Sequence, residues 1–188
     1  MESFDILTPD RFLGVLEEAL GTRLTALTRP MPSYINRVYE VQSTDGVSFV
    51  AKFYRPGRWT EEAIRDEHAF MADCAEVDIP VVCPLELSDG STIGALEDIL
   101  FSVFPKRSGR QFDAEPQQNL KRIGSLLGRM HNAGQKRAAP ARLTLSPRQI
   151  TDDWAQFLAD EVIPQKWREP FRGICSRICA CVAPLFEG

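Results

Sequence analysis

Lys52 and Glu67 are the two residues whose types and spacing invite a chemical reading. The stretch "VSFVAKFY" is rich in β-formers, and strand alternation puts Val47, Phe49, Ala51 and Phe53 on one face and Ser48, Val50, Lys52 and Tyr54 on the other. A strand seldom turns an ammonium group inward without a partner. Fifteen residues on, Glu67 falls in the apolar stripe of the next helix, among Ala63, Ile64, Phe70, Met71 and Cys74. An inward lysine and an inward glutamate are each costly alone and become tolerable once paired.

Such a pair can do phosphate chemistry: the lysine grips the α- and β-phosphates of ATP and the glutamate holds the lysine in place. A plain strand–helix salt bridge is the competing reading of the pair taken by itself. The bend "PSYINRVYEV" before the hairpin has no glycine, so it is neither a G-x-G-x-x-G loop nor a P-loop. Ser33 there could offer its hydroxyl and neighbouring backbone N–H groups to phosphate oxygens. For a purine, "FSVFPKRSG" runs from a strand into an irregular link whose backbone could bond the ring edge, with Val38, Ala51 and Phe101 sandwiching the ring.

The elements that would hold these residues follow from pattern. "TPDRFLGVLEEALG" has Thr8 at an N-cap position, Pro9 opening the helix, Gly21 beyond its end, and Phe12, Leu13, Leu16 and Leu20 on one face. "LTALTRPM" reads as a strand. "RVYEVQ" and "VSFVAKFY" form a hairpin around Asp45-Gly46, and "IPVVCPLEL" and "DILFSVF" are two further strands separated by "SDGS". Thr60 caps the helix that carries Glu67, with Glu61 and Glu62 in its first turn. From Pro116 a long helix runs to Gly134 with Leu120, Ile123, Leu127 and Met130 inward, and Gly124 and Gly128 offer a close approach to a neighbour. Two helical segments, "ITDDWAQFLADEVI" and "WREPFRGICSRICACVAPLF", follow. The fold class is α+β: a five-stranded antiparallel sheet with one packed helix over residues 1–105, then an all-helical part over 106–188.

Composition narrows the partners. With 44% hydrophobic and 26% charged residues the chain can bury a core, and a net charge of −4 disfavours nucleic acid as main partner. No apolar run of about twenty residues suggests a membrane span, and "MESFDILTPDRF" lacks the apolar core of a secretory signal. Five cysteines in such a chain read as reduced thiols, which points to the cytoplasm. Cys175, Cys179 and Cys181 find no second Cys or His pair for a zinc site and read as small packing residues. His68 and His131 read as structural.

The runs "SYINRVYEV", "FVAKFYRPGRWT", "RDEHAF", "FSVFPKRSGRQF" and "IGSLLGRMHNAG" occur in an order that resembles the bacterial stress response kinase A family, Ser/Thr kinases with the fold of aminoglycoside and choline phosphotransferases. The likeness covers most of residues 4–188. It implies a protein-kinase-like amino lobe, a hinge containing Phe104 and Lys106, and the first helices of a carboxy lobe. It further implies that Ser33 touches ATP, Lys52 binds its phosphates and Glu67 pairs with Lys52. The family's H-G-D-x-H-x-G-N catalytic loop and its metal-binding Asp do not occur in this sequence, so catalytic residues and Mg²⁺ ligands are expected outside it. The expectation is the ATP-binding portion of an ATP- and Mg²⁺-dependent kinase acting on a protein Ser/Thr or a small hydroxylated molecule, a portion inactive by itself. A non-catalytic, pseudokinase-type module that binds nucleotide or a partner is the second reading. A third is a binding domain for anions or nucleic acid on "KFYRPGRW", where Lys52, Arg55 and Arg58 interleave with Tyr54 and Trp59 and could stack single-stranded bases.

Overall fold

The computed structural model describes residues 4–109, 117–144, 146–159 and 162–186, which fall into two units, residues 1–141 and 142–188. Residues 110–116, including the expected helix start at Pro116, lie outside the described residues.

The first unit is built on an antiparallel sheet of β1 (Leu24–Met31), β2 (Arg37–Ser43), β3 (Ser48–Phe53), β4 (Gly94–Leu96) and β5 (Ile99–Pro105), in the order β1-β2-β3-β5-β4. The β2–β3 turn closes through Ser43 N–H to the Val47 carbonyl at 2.8 Å, and Gly46 takes a φ of 84°, a region open to glycine. One of the five strands is not the expected one. "IPVVCPLEL" stays outside the ladder because Pro80 and Pro84 carry no N–H. It runs along β5 with one backbone bond, Leu85 N–H to the Val103 carbonyl at 2.8 Å. The short edge strand β4 takes its place.

Two helices, rather than one, pack on this sheet, one on each face. Helix α1 (Pro9–Leu20) ends on Gly21 at φ 62° and buries Phe12 and Leu16 completely. The Phe12 ring lies 4.7 Å from that of Tyr39 and 5.4 Å from that of Phe53, in a core shared with Val41, Ala51, Ile99, Phe101 and Val103. On the opposite face lies α2 (Glu61–Glu76), whose first turn is capped by the Thr60 hydroxyl accepting from Ala63 N–H at 3.2 Å. Ile64 of α2 packs with Tyr54 and Ile93, and Trp59 closes that cluster. The inward stripe of α2 differs from the expected one: His68 and Asp73 are buried beside Ala63, Ile64 and Cys74, while Glu67 stays partly open.

Helix α3 (Gln117–Gly134) lies against α2 through Leu126, Met130 and Ala133, which meet Phe70, Cys74, Ile79 and Val81. Of the expected inward stripe, Leu120 and Leu127 are instead exposed, because the face that meets α2 is turned toward Leu126 and Ala133. A Cβ placed on Gly124 or Gly128 would meet nothing within 4 Å, so neither glycine serves a close approach among the described residues.

Beyond α3, Arg137 makes two hydrogen bonds to the buried Asp73 carboxylate, Nε to Oδ2 at 2.6 Å and Nη2 to Oδ1 at 2.7 Å. The Arg137 hydrogen bonds hold the Asp73 carboxyl below the usual carboxylate range. A depressed folded value stabilises the fold above the ordinary carboxylate pKa of about 4, and the contribution is lost as pH falls through the lower folded value. Arg137→Met should therefore lower the melting temperature by several degrees at pH 7, with the gap to wild type closing below about pH 4. Melting curves at both pH values check this; a gap that persists at the acid end would mean the pair is not its source.

The second unit packs α4 (Pro147–Ala159) against α5 (Gln165–Val182), which runs on into a 3₁₀ turn, Ala183–Phe186. Cys175 is buried, while Cys179 lies 3.3 Å from the Thr151 hydroxyl and Cys181 is exposed; all three are free thiols.

Candidate active site

Strand register determines which side chains share a face. Met31, Val38, Lys52 and Ser102 are successive cross-strand neighbours and form one row across β1, β2, β3 and β5. The next row, toward the β2–β3 turn, is Arg29, Glu40, Val50 and Phe104. Both rows lie on the α2 side. The row between them is Pro30, Tyr39, Ala51 and Val103; Tyr39, Ala51 and Val103 belong to the core with α1, while Pro30 at the edge strand is exposed. Ala51 and Phe101 are thus on the wrong side of the sheet to sandwich a ring beside Lys52: both are fully buried in the α1 core. Val50, two residues before Lys52, holds the place expected of Ala51.

At the near end of the strip the Lys52 ammonium lies 3.2 Å from Glu67 Oε1 and 4.4 Å from the centroid of the Tyr54 ring. Side-chain exposure is 25% for Lys52 and 29% for Glu67, so the pair is held in place without being sealed from solvent. Behind it Tyr54 is almost fully buried, and desolvation pushes its hydroxyl pKa up although the Lys52 charge opposes this. The β1–β2 loop joins Met31 to Arg37, so exposed Ser33 stands at the Lys52 end of the sheet. Arg55 ties that loop down, its backbone N–H bonding Asn36 Oδ1 at 3.3 Å and its Nε bonding the Ile35 carbonyl at 3.2 Å.

At the far end, Lys106 follows β5, donates its backbone N–H to the Ser48 carbonyl at 3.2 Å, and pairs through its ammonium with Glu40. Glu40 also pairs with Arg29, and the Lys106 hydrogen bond in particular holds its carboxyl below the usual range. Between the two charged ends lie Val38, Val50 and Phe104, partly exposed. The face is a strip with a cation at one end, apolar side chains in the middle and an ion cluster at the other end. That arrangement can take a planar apolar ring joined to an anionic tail. The basic–aromatic run "KFYRPGRW" is not an open stacking strip: Lys52 is paired, Arg55 is tied to the β1–β2 loop, and Tyr54 and Trp59 pack with α2.

His68 was the least expected participant. It lies next to Glu67 on α2, buried, with hydroxyl groups from Tyr54, Thr92 and Ser102 around its ring. His131 is exposed on the last turn of α3. Among the described residues no group of three or more His, Cys, Asp or Glu is placed to hold a metal ion, so no divalent-cation ligand is assigned to them.

Residues 28–173 match the phosphotransferase enzyme family. Stress response kinase A of Escherichia coli strain K12 is 36% identical, over 90% of this chain and 57% of that protein. The serine/threonine protein kinase RdoA of Salmonella typhimurium is also 36% identical, over 81% of this chain and 48% of its own length. The chain spans about half the length of the curated relatives it matches. Among solved structures, amicoumacin kinase hAmiN in complex with AMP-PNP, Ca²⁺ and Ami is similar with a TM-score of 0.63 at 18% identity, over 80% of this chain and 53% of that one. A spectinomycin phosphotransferase in complex with ADP and spectinomycin gives 0.58 at 12% identity, over 79% and 46%. At such identities the structural likeness speaks for the fold, an aminoglycoside-phosphotransferase and kinase-like one, while the family match spans most of the sequence. The chain belongs to the phosphotransferase enzyme family.

Proposed function

We propose that the α2-side face of the sheet is the nucleotide site of an ATP-dependent kinase that transfers the γ-phosphate to a hydroxyl group of a protein Ser/Thr or a small molecule. One observation carries the reading: a glutamate-held ammonium, 3.2 Å from its partner and carried on a side chain that is a quarter exposed, at the end of an apolar strip. Lys52 meets the phosphates, Glu67 orients Lys52, and Val38, Val50 and Phe104 cover the purine. Ser33 contributes from the β1–β2 loop, and Lys106, with Arg29 and Glu40, borders the purine end. Residues 1–105 act as an amino lobe, and residues from Lys106 onward as the hinge and first helices of a carboxy lobe.

Phosphoryl transfer also needs a carboxylate to orient the hydroxyl and ligands for a divalent cation such as Mg²⁺, which would neutralise the charge that develops on the phosphates. The described residues bring no such set together, so they are assigned the binding step and the whole protein the transfer. One of the bacterial relatives is a serine/threonine protein kinase, which supports a protein hydroxyl as acceptor. The cytoplasm, where ATP is abundant, is the compartment this reading implies. No helix among the described residues is long and apolar enough to cross a membrane.

Saturating ATP should raise the melting temperature. At a hundred times Kd, binding adds about 2.7 kcal/mol, or roughly 5–10 °C for a chain of this size. No rise, or an equal rise with sulfate at matched ionic strength, would count against a nucleotide site.

A further inference from the structure

His68 is not used by the phosphate chemistry, yet three hydroxyl groups lie against its ring. Its Nδ1 lies 2.7 Å from Thr92 Oγ1, in the segment leading to β4. Its Nε2 lies 3.4 Å from the Tyr54 hydroxyl, just past β3, and 3.5 Å from Ser102 Oγ on β5. Three segments of the sheet side thus converge on one ring carried by α2. In a neutral imidazole one nitrogen donates and the other accepts, and hydroxyls can serve either role, so Nδ1 can bond Thr92 while Nε2, with one lone pair or one N–H, is shared between the Tyr54 and Ser102 hydroxyls. Burial holds the His68 pKa below its ordinary value, which favours that neutral form.

The two supports of Lys52 both lead back to this ring. Glu67 is its neighbour on α2, so whatever fixes His68 fixes the turn of helix that presents the carboxylate. Tyr54, whose ring lies 4.4 Å below the ammonium, is bonded to His68 through its hydroxyl. Ser102, cross-strand partner of Lys52, touches the same nitrogen. A polar network inside an apolar helix–sheet interface costs stability unless fully satisfied, and once satisfied it fixes a single arrangement. We propose that His68 is a positioning residue for Lys52, locking α2 in register with the sheet through three hydroxyl groups so that Glu67 and Tyr54 hold the ammonium from two sides. Only the consequence for ligand binding rests on the nucleotide reading; the positioning itself does not.

The chain has five lysines, so ¹³C-lysine labelling gives five ε-methylene signals by NMR. The Lys52 signal, identified by its loss in Lys52→Arg, should be displaced upfield by the Tyr54 ring. In His68→Leu it should move toward the other four, and in His68→Gln, whose amide can still meet the Tyr54 and Ser102 hydroxyls, it should return. Thr92→Val, which keeps its side-chain shape and removes one hydroxyl, should move the signal part of the way and serves if His68→Leu does not fold. A signal unmoved in a folded His68→Leu, or in Thr92→Val where His68→Leu does not fold, would overturn the proposal, whatever either variant does to the melting temperature. In parallel, the affinity for AMP-PNP with Mg²⁺ should fall about tenfold in His68→Leu and recover in His68→Gln. If the signal shifts as expected but the wild-type chain binds no AMP-PNP, the positioning role stands and the nucleotide reading fails.

Discussion

Replacing Lys52 by alanine is expected to weaken binding of an ATP analogue about 10- to 100-fold while leaving the chain folded, the range for losing one charge-assisted contact to phosphate. The fold should survive because the residue is not a buried strut. Its side chain is a quarter exposed, and Glu67, left behind, is exposed to a similar degree and can be hydrated. Lys52→Arg should not rescue binding. A planar guanidinium cannot occupy the point between Glu67 Oε1, at 3.2 Å, and the Tyr54 ring, at 4.4 Å, with the geometry of a compact ammonium. Calorimetric titration of the variants checks both statements. Equal affinity in Lys52→Ala and wild type would remove Lys52 from the site, and normal affinity in Lys52→Arg would show that only charge matters there.

The second large effect concerns the fold beneath the site. Gly94 opens the edge strand β4 and faces Phe101 across the ladder. A Cβ on Gly94 would stand 2.3 Å from Phe101 Cζ and within 3 Å of both Cε atoms. That ring cannot yield easily: it is 1% exposed and packs 5.6 Å from the Phe53 ring, at the centre of the α1 core. Gly94→Ala should cost about 1–3 kcal/mol and Gly94→Val more, a large share of a typical domain's stability. Phe101→Leu should return part of the loss in the double variant, since the clash is with the ring itself. Gly14→Ala is the contrasting control. It lies on the exposed face of α1 with nothing within 4 Å of the added methyl, and should stabilise by about 0.5–1 kcal/mol. Urea midpoints of the four variants check the series; a Gly94→Val chain as stable as wild type would mean β4 does not pair with β5 as described.

How far the sequence alone could reach depends on the range of the pattern involved. The inward lysine and the glutamate opposite it are legible because strand alternation and helix period are local, and Glu67 breaks an otherwise apolar helix stripe. The same alternation puts Val50, not Ala51, beside Lys52. Adjacent strand residues never share a face, and Ala51 and Phe101 belong to the α1 core. The fourth expected strand misled because "IPVVCPLEL" has the apolar content of a strand, while Pro80 and Pro84 deny it the N–H groups of a ladder. Its replacement, β4, has only three residues, too few to carry a period. The α3 stripe shows the opposite limit. Helical spacing identifies an apolar face but not which side a neighbour takes, and Arg129, bonding the carbonyls of Val77 and Asp78, helps settle it. The His68 network had no local signal: its hydroxyl partners, Tyr54, Thr92 and Ser102, come together only through the sheet.

The central claim is that Lys52 is the lysine beside the phosphates of a bound nucleotide. An acyl phosphate of ATP, which transfers its acyl group to the amine nearest the phosphates, tests it directly because only five lysines compete. Mass spectrometry of the labelled chain should find the acyl group on Lys52, suppressed by excess ATP, with Lys106, Lys121, Lys136 and Lys166 at background. Label spread evenly over the five, or on Lys52 but indifferent to ATP, would contradict a nucleotide site on this face of the sheet.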